Sequence, residues 1–296
     1  MVFAALRVLA LQIDSSPRSV SDNLARAADL IRANPGHDLY VLPELSSCGY
    51  SDEVLSSLDE VAEDGRSGVS RQFFRSLAVE TGSYIAYGIA RRRAADEPEC
   101  ARGRFAICHA VVDPVGELLL LYDKMHVCNM GKCSEAAYGF SPGSRPGVFS
   151  CKGVSVGLSI CYDIRFSELY RTLAWDRGCD LLLHPSAFVR DATFPMYHPF
   201  AQTRAVENGA YFLSVNWAGA DFGSSIGVPP WVGPVPGVGE ELAPASLGIE
   251  EGVLPLAVEP AHLAAVRAAY PYRRDVNRVL RDEQDEPAVD HILPTS

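Results

Sequence analysis

Apolar and polar positions along the chain change period several times, and each change marks an element. Residues 7–13 (RVLALQI) alternate as a strand with one buried face does. Residues 23–31 (NLARAADLI) switch to helical spacing, and residues 39–42 form a short apolar strand running into Pro43-Glu44. This βαβ-like opening puts a carboxylate just past its second strand, where open α/β sheets tend to carry their sites. Residues 71–80 predict a helix, 84–90 a strand and 92–104 a charged loop. Residues 105–112 and 117–122 flank Asp113-Pro-Val-Gly116, a hairpin turn signal, so antiparallel pairing is mixed with βα units.

Farther along, Val154, Val156, Leu158 and Ile160 alternate, and Leu169, Tyr170, Leu173 and Ala174 then fall at helical spacing. Cys161 therefore stands where a strand gives way to a helix, and the first N–H groups of a helix lack partners. Two readings stand for it from this segment alone: a nucleophile, or the small buried hydrophobe that free cysteines usually are. Residues 179–183 predict a strand ending at His184-Pro185, 199–208 a helix and 211–216 a strand. His184 and His198, each beside a proline at the edge of an element, are expected to be satisfied structural histidines. The stretch 225–244, dense in Pro and Gly, predicts a surface loop, and residues 253–258 and 260–269 supply a last strand and helix. No linker interrupts this series, so residues 1–280 read as one domain and residues 281–296 as a polar tail.

Composition narrows the function classes. A chain of 296 residues, 48% of them apolar, can bury a sizeable core. A net charge of −11 argues against a nucleic-acid groove or an anionic membrane surface as the main partner, because both reward clustered Lys and Arg. Arg91 to Arg93 form a basic run, expected on a solvated loop face. Arg7 and Asp14 interrupt the apolar start, which reads as a first strand and not as a signal peptide, and no uncharged run approaches bilayer length. Eight cysteines show neither CxxC pairs nor the density of a secreted disulfide scaffold, so a reducing cytoplasm is expected.

Three residues fall just beyond predicted strand ends: Glu44, Lys124 and Cys161. Together they supply what acyl transfer through a thioester requires: an attacking thiol, a base for its proton and a cation for the oxyanion. A free thiol titrates near ~8.5, and a neighbouring ammonium favours its thiolate. Lys124 opens a long irregular segment, residues 125–147, of a length that is commonly functional inside a compact domain.

The motifs LPELSSCGY (42–50), YDKMHV (122–127), GLSICYDIRFSELYR (157–171) and TRAVENGAYFLSVN (203–216) resemble, in content and order, those of the carbon-nitrogen hydrolase, or nitrilase, superfamily. The resemblance implies an α/β fold of the αββα sandwich type, no metal or organic cofactor, and a Glu-Lys-Cys site on Glu44, Lys124 and Cys161. It also implies a second carboxylate in the loop after the lysine, here Glu135. CYDIRF and CDLLLHPSAF look like the amidase branches, especially the ω-amidase and Nit-like proteins, which favours a small linear amide as substrate over a nitrile. Tyr50, Tyr138, Tyr162, Arg165 and Phe188 are then the expected substrate contacts. Arg165 suits a substrate carboxylate, or equally a structural ion pair with Asp163 or Glu168. A homodimer or larger homo-oligomer is implied by resemblance only.

Other readings fit less of the chain. His126, Cys128 and Cys133 fall short of the four ligands of a closed zinc site. The run Gly157-Leu-Ser159-Ile-Cys161 lacks the closing glycine of a serine nucleophile elbow. An N-carbamoyl amidohydrolase, a nitrilase, an acyltransferase using the same thioester, and a binding protein that kept the fold without turnover remain alternatives.

Overall fold

The computed structural model of the chain describes residues 4–130 and 133–276, without the Cys133 side chain. The first sheet starts with β1 (Leu6–Gln12), β2 (Leu39–Val41) and β3 (Tyr84–Arg92), which run parallel and are joined through α1 (Val20–Ala33) and α2 (Val69–Thr81). The strands β4 (Phe105–Val112) and β5 (Leu118–Asp123) continue it antiparallel. The second sheet takes β6 (Gly147–Cys151), β7 (Val154–Leu158), β8 (Leu181–Pro185), β9 (Tyr211–Val215), β10 (Ile226–Val228) and β11 (Ala245–Ser246), side by side in that order. Here β7, β8 and β9 are parallel, connected through α3 (Ser167–Arg171), which runs on into the π turn Thr172–Asp176, and through α4 (Tyr197–Asn208). Finally β12 (Gly252–Val258) returns to the first sheet antiparallel to β1, and α5 (Pro260–Ala269) follows.

Strand alternation explains how these sheets stack. Val8, Ala10, Val41, Ala86 and Val111 of the first sheet meet Val156, Leu158, Leu183, Leu213 and Val215 of the second in one shared core. Their neighbours Leu9, Leu11, Ile85 and Ile89 point the other way, onto Leu24, Ile31, Phe74 and Leu77 of α1 and α2. Leu182 and Phe212 likewise face Leu173, Tyr197 and Ala205 on the opposite outer side. The result is the expected αββα sandwich. Strands buried on both faces need no polar alternation, hence the nearly continuous apolar run of β8.

Two expectations fail, each for a physical reason. The basic run does not lie on a solvated loop face, because β3 extends to Arg92 and both Arg91 and Arg93 are buried. Arg91 binds Asp123 at 2.9 Å and Glu97 at 2.5 Å, while Arg93 donates to Asp123 at 2.9 Å and to the carbonyls of Gly103 and Pro142. A guanidinium can be buried when its donors find acceptors, as Arg93 Nε, Nη1 and Nη2 do here and as both Nη groups of Arg91 do on Asp123 and Glu97. The stretch 225–244 is not all surface loop either. Its first residues form the buried strand β10, and Ser225 bonds Gln12 at 2.7 Å. The edge of β9 must satisfy its backbone groups, and this segment does so. The predicted tail 281–296 lies outside the described residues.

Two buried histidines make the fold acid-sensitive. His109 on β4 sits between Gly88 and Tyr122, and desolvation lowers its pKa to about 3, partly offset by the Ala86 backbone. Burial lowers His184 to about 4. Both folded-state values lie below the ~6.5 of an unfolded histidine, so below that pH the unfolded chain binds more protons and stability falls. We expect the melting temperature to drop steadily from pH 6.5 toward pH 4, and His109→Phe to flatten the slope. A calorimetric melting curve with the same acid slope in the variant would refute the assignment.

Candidate active site

Glu44, fully buried, follows β2 in a turn that has no room to relax. Leu45 takes a left-handed backbone (φ 52°), and the turn presses against Gly88 of β3, where an added Cβ would stand 2.4 Å from the Leu45 nitrogen. Only glycine allows that approach. Ser46 Oγ accepts from the Gly88 N–H at 2.8 Å, and the Ser47 N–H donates to the Gly88 carbonyl at 3.0 Å, tying the turn to the strand. The Trp217 indole N–H then donates to the Glu44 carbonyl at 2.8 Å.

Lys124 leaves the end of β5 with its backbone held on both sides: its N–H donates to Ile107 and its carbonyl accepts from Gly143, each at 2.8 Å. Its ammonium is buried and donates to Glu44 Oε1 at 2.8 Å and to Glu135 Oε1 at 2.7 Å. The second oxygens of both acids are also occupied, Glu44 Oε2 by the Ala187 N–H at 2.8 Å and Glu135 Oε2 by the Cys128 N–H at 2.7 Å. Tyr50 adds its hydroxyl to Glu135 Oε1 at 3.1 Å.

Cys161 begins the 3₁₀ turn Cys161–Arg165 with φ 43°, a left-handed conformation that costs a non-glycine residue about 1–3 kcal/mol unless its surroundings hold it. His184 helps to hold it. Its Nε2 donates to the Cys161 carbonyl at 2.8 Å, which leaves Nδ1 to accept from Ser214 Oγ at 2.7 Å, and Tyr197 in turn lies 2.5 Å from that hydroxyl. The N–H of Tyr162 stands in the first turn, where no partner is available within the helix.

Burial, and after it the Glu44 carboxylate, push the Cys161 thiol well above its usual range, with Lys124 pulling the other way. Burial likewise raises Glu44 above the ordinary carboxylate range, against Lys124. For Lys124 burial alone would favour the neutral amine, but Glu135 and Glu44 outweigh it and keep the ammonium charged. At rest the site therefore holds a neutral thiol beside a charged lysine, not the preformed thiolate that a nearby ammonium alone would suggest.

Tyr50, Tyr162, Arg165 and Phe188 border a cavity of about 50 Å³ that opens on Cys161. Tyr138 does not border it, because its hydroxyl turns outward to Asp52 at 2.8 Å. Arg165 makes no ion pair with Asp163 or Glu168; it bonds Thr193 Oγ1 at 3.0 Å and lies over the Tyr162, Phe188 and Phe200 rings. His126 gives its Nδ1 to Asp163, and His198 bonds the Ser224 carbonyl, so each has a structural partner. Among the described residues no three His, Cys, Asp or Glu side chains are grouped to hold a metal ion.

Residues 7–243 match the carbon-nitrogen hydrolase family. The chain belongs to that family. It is 31% identical over 283 residues to omega-amidase NIT2-B of Xenopus laevis, covering 92% of this chain and 95% of that one. Among solved structures it resembles Nit3 of Saccharomyces cerevisiae, a member of branch 10 of the nitrilase superfamily, with TM-score 0.75, 25% identity and coverage of 91% and 96%. It also resembles an amidase variant from Nesterenkonia sp. AN1 in which the acetamide moiety of fluoroacetamide is covalently added at the active-site cysteine. That match has TM-score 0.71 and 25% identity, with coverage of 96% and 99%. Cysteine-dependent hydrolysis of a non-peptide carbon–nitrogen bond is the chemistry of this hydrolase.

Several parts of its site escaped the sequence reading. The Ala187 N–H and the Trp217 indole that grip Glu44 come from the ends of β8 and β9, and no local pattern marks them. Ser186, buried, brings its hydroxyl beside the Cys161 thiol. The signal available for it was the His184-Pro185-Ser186 sequence just past a strand end.

Proposed function

We propose that this hydrolase releases ammonia from a small linear amide carrying a carboxylate at its other end, with Glu44 as base, Lys124 and Tyr162 as oxyanion donors and Cys161 as nucleophile. The observation that carries the reading is the buried Lys124 ammonium, shared between two carboxylates beside a thiol that opens on a cavity. Glu44 takes the thiol proton as sulfur attacks the amide carbonyl carbon, and the resulting oxyanion is met by Lys124 and the Tyr162 N–H. The C–N bond breaks as Glu44 returns the proton to nitrogen, leaving ammonia and a thioester. Water then gives a proton to Glu44 and attacks the thioester, the C–S bond breaks, and the proton returns to sulfur as the acid departs. Glu135 keeps Lys124 aimed while Glu44 changes charge, and Tyr50 steadies Glu135.

Arg165 supports the carboxylate-bearing substrate. It borders the cavity and has no acidic partner among the described residues, and its guanidinium matches a planar anion. Tyr50, Tyr162 and Phe188 supply the walls. The amidase character of the relatives favours an amide over a nitrile or a carbamoyl group.

We also assign self-association to the outer side of the second sheet. A separate cavity of about 780 Å³ lies there, lined by Trp175, Val206, Trp231, Val232 and Tyr272, and the buried Trp175 indole N–H has no partner. Val232 and Tyr272 are exposed large apolar side chains at this cavity, and apolar surface rimmed by polar residues such as Arg171 and Glu207 suits a protein contact. The core shared by both sheets supports a single domain over residues 1–280. No described helix is long and apolar enough to cross a membrane. The scatter of the cysteines without CxxC pairs supports a reducing cytoplasm as its compartment.

Glu44→Gln is expected to cut amide turnover by about 10²- to 10⁴-fold, because the thiol proton then has no acceptor as sulfur attacks. An acyl-enzyme trapped from that variant at the wild-type rate would remove Glu44 from the base role. Arg165→Lys should raise KM for amides bearing a carboxylate and leave neutral amides unchanged; an equal rise for both classes returns Arg165 to a packing role. Sedimentation velocity should find a dimer or larger that Val232→Asp shifts to monomer, and a wild-type monomer at micromolar concentration would defeat the assembly.

A further inference from the structure

Asp163 carries out no step of the proposed reaction, yet both of its oxygens are fully engaged. It is fully buried, two residues after Cys161, and each of its oxygens takes two donors. Oδ1 accepts from the His126 backbone N–H at 2.9 Å and from His126 Nδ1 at 2.7 Å. Oδ2 accepts from the Tyr122 hydroxyl at 2.7 Å and from the Ile160 N–H at 2.8 Å. Four donors fill the acceptor capacity of an ionised carboxylate.

The positions of those donors in the chain give the arrangement its meaning. Tyr122 and His126 stand two residues before and two after Lys124, and Ile160 immediately precedes Cys161. The lysine segment leaves the last strand of the first sheet, whereas the cysteine segment leaves an interior strand of the second, so no backbone ladder joins them. From these contacts we infer that Asp163 is a positioning residue: it staples the Lys124 segment to the Cys161 turn across the two sheets and sets the ammonium against the sulfur. The same carboxylate closes the turn itself, since Ile160 donates to Asp163 Oδ2 while the Asp163 N–H donates back to the Ile160 carbonyl at 2.9 Å. That reciprocal pair holds the left-handed backbone at Cys161 from one side as His184 holds it from the other.

His126 is the accessible half of the staple. Its side chain is 28% exposed, and its ring stacks on Phe166 with centroids 3.7 Å apart and planes 8° from parallel, which aims Nδ1 at Asp163. A displacement of about 1 Å in such a support can cost about 10²-fold in rate without touching the substrate.

The inference rests on the proposed amide chemistry only for its turnover readout; alkylation of Cys161 by iodoacetamide tests it without a substrate. Asn at position 126 places a side-chain N–H near the place of the histidine Nδ1, whereas Leu places none. His126→Leu and Asp163→Asn are each expected to lower kcat by about 10- to 10²-fold with KM within about twofold. Both should slow alkylation at least severalfold at pH 7.5, and His126→Asn should restore both rates to near wild type. In a double-mutant cycle, Tyr122→Phe should add less in the Asp163→Asn background than alone, because both act through one carboxylate. If Asp163→Asn does not fold, the His126 pair, at a partly exposed position, still decides the matter. Equal kcat and equal alkylation rates for wild type, His126→Leu and His126→Asn would overturn the staple. Absence of amide turnover in wild type with the alkylation differences intact would overturn the proposed substrate and leave the staple standing.

Discussion

The whole site depends on one ammonium held out of water between two carboxylates. Burying a lysine charge costs several kcal/mol, and a single counter-ion with open lone pairs would not recover it. Here the geometry does, because Lys124 meets Glu44 and Glu135 at 2.8 and 2.7 Å and the remaining acid oxygens are taken by the N–H groups of Ala187 and Cys128. A half-satisfied version of this cluster would be worse than an apolar core. Every connection that fixes Glu44, Lys124 and Glu135 is therefore a condition of stability as well as of chemistry.

Such a cluster also opposes a thiolate at Cys161. Two carboxylates and burial oppose the sulfur anion, and one ammonium favours it. Glu44, itself raised by burial, is a better match for a thiol proton than an exposed glutamate would be. In the proposed reaction proton transfer accompanies attack, when the developing oxyanion gives Lys124 a new partner.

The sandwich makes this assembly possible because strand ends of both sheets meet at one rim. Glu44 and Lys124 come from the first sheet and Cys161 from the second, and the supports alternate in the same way. Trp217 from the end of β9 holds the Glu44 turn, and Asp163 after β7 holds the segment around Lys124. Left-handed backbone at Leu45 and at Cys161 is tolerated because hydrogen bonds fix the chain around each, Ser47 on Gly88 and Trp217 on Glu44 for the first, Ile160 on Asp163 and His184 on the Cys161 carbonyl for the second.

Local pattern determined much of this protein. The alternation at residues 7–13 and 154–160, the helical spacing at 23–31 and the turn at Asp113 to Gly116 each depend on side chains a few positions apart, so β1, β7, α1 and the β4–β5 hairpin were legible. So was the candidacy of Glu44, Lys124 and Cys161, because together they supply the base, the cation and the thiol that acyl transfer requires. Tertiary structure decided the rest. Arg91 and Arg93 became buried because Asp123 and Glu97 arrived from other segments, β10 formed because β9 had an open edge, and Tyr138 turned away from the cavity toward Asp52. Whether a charge is buried and which partner it takes depend on contacts between residues far apart in the chain, and no periodicity records those.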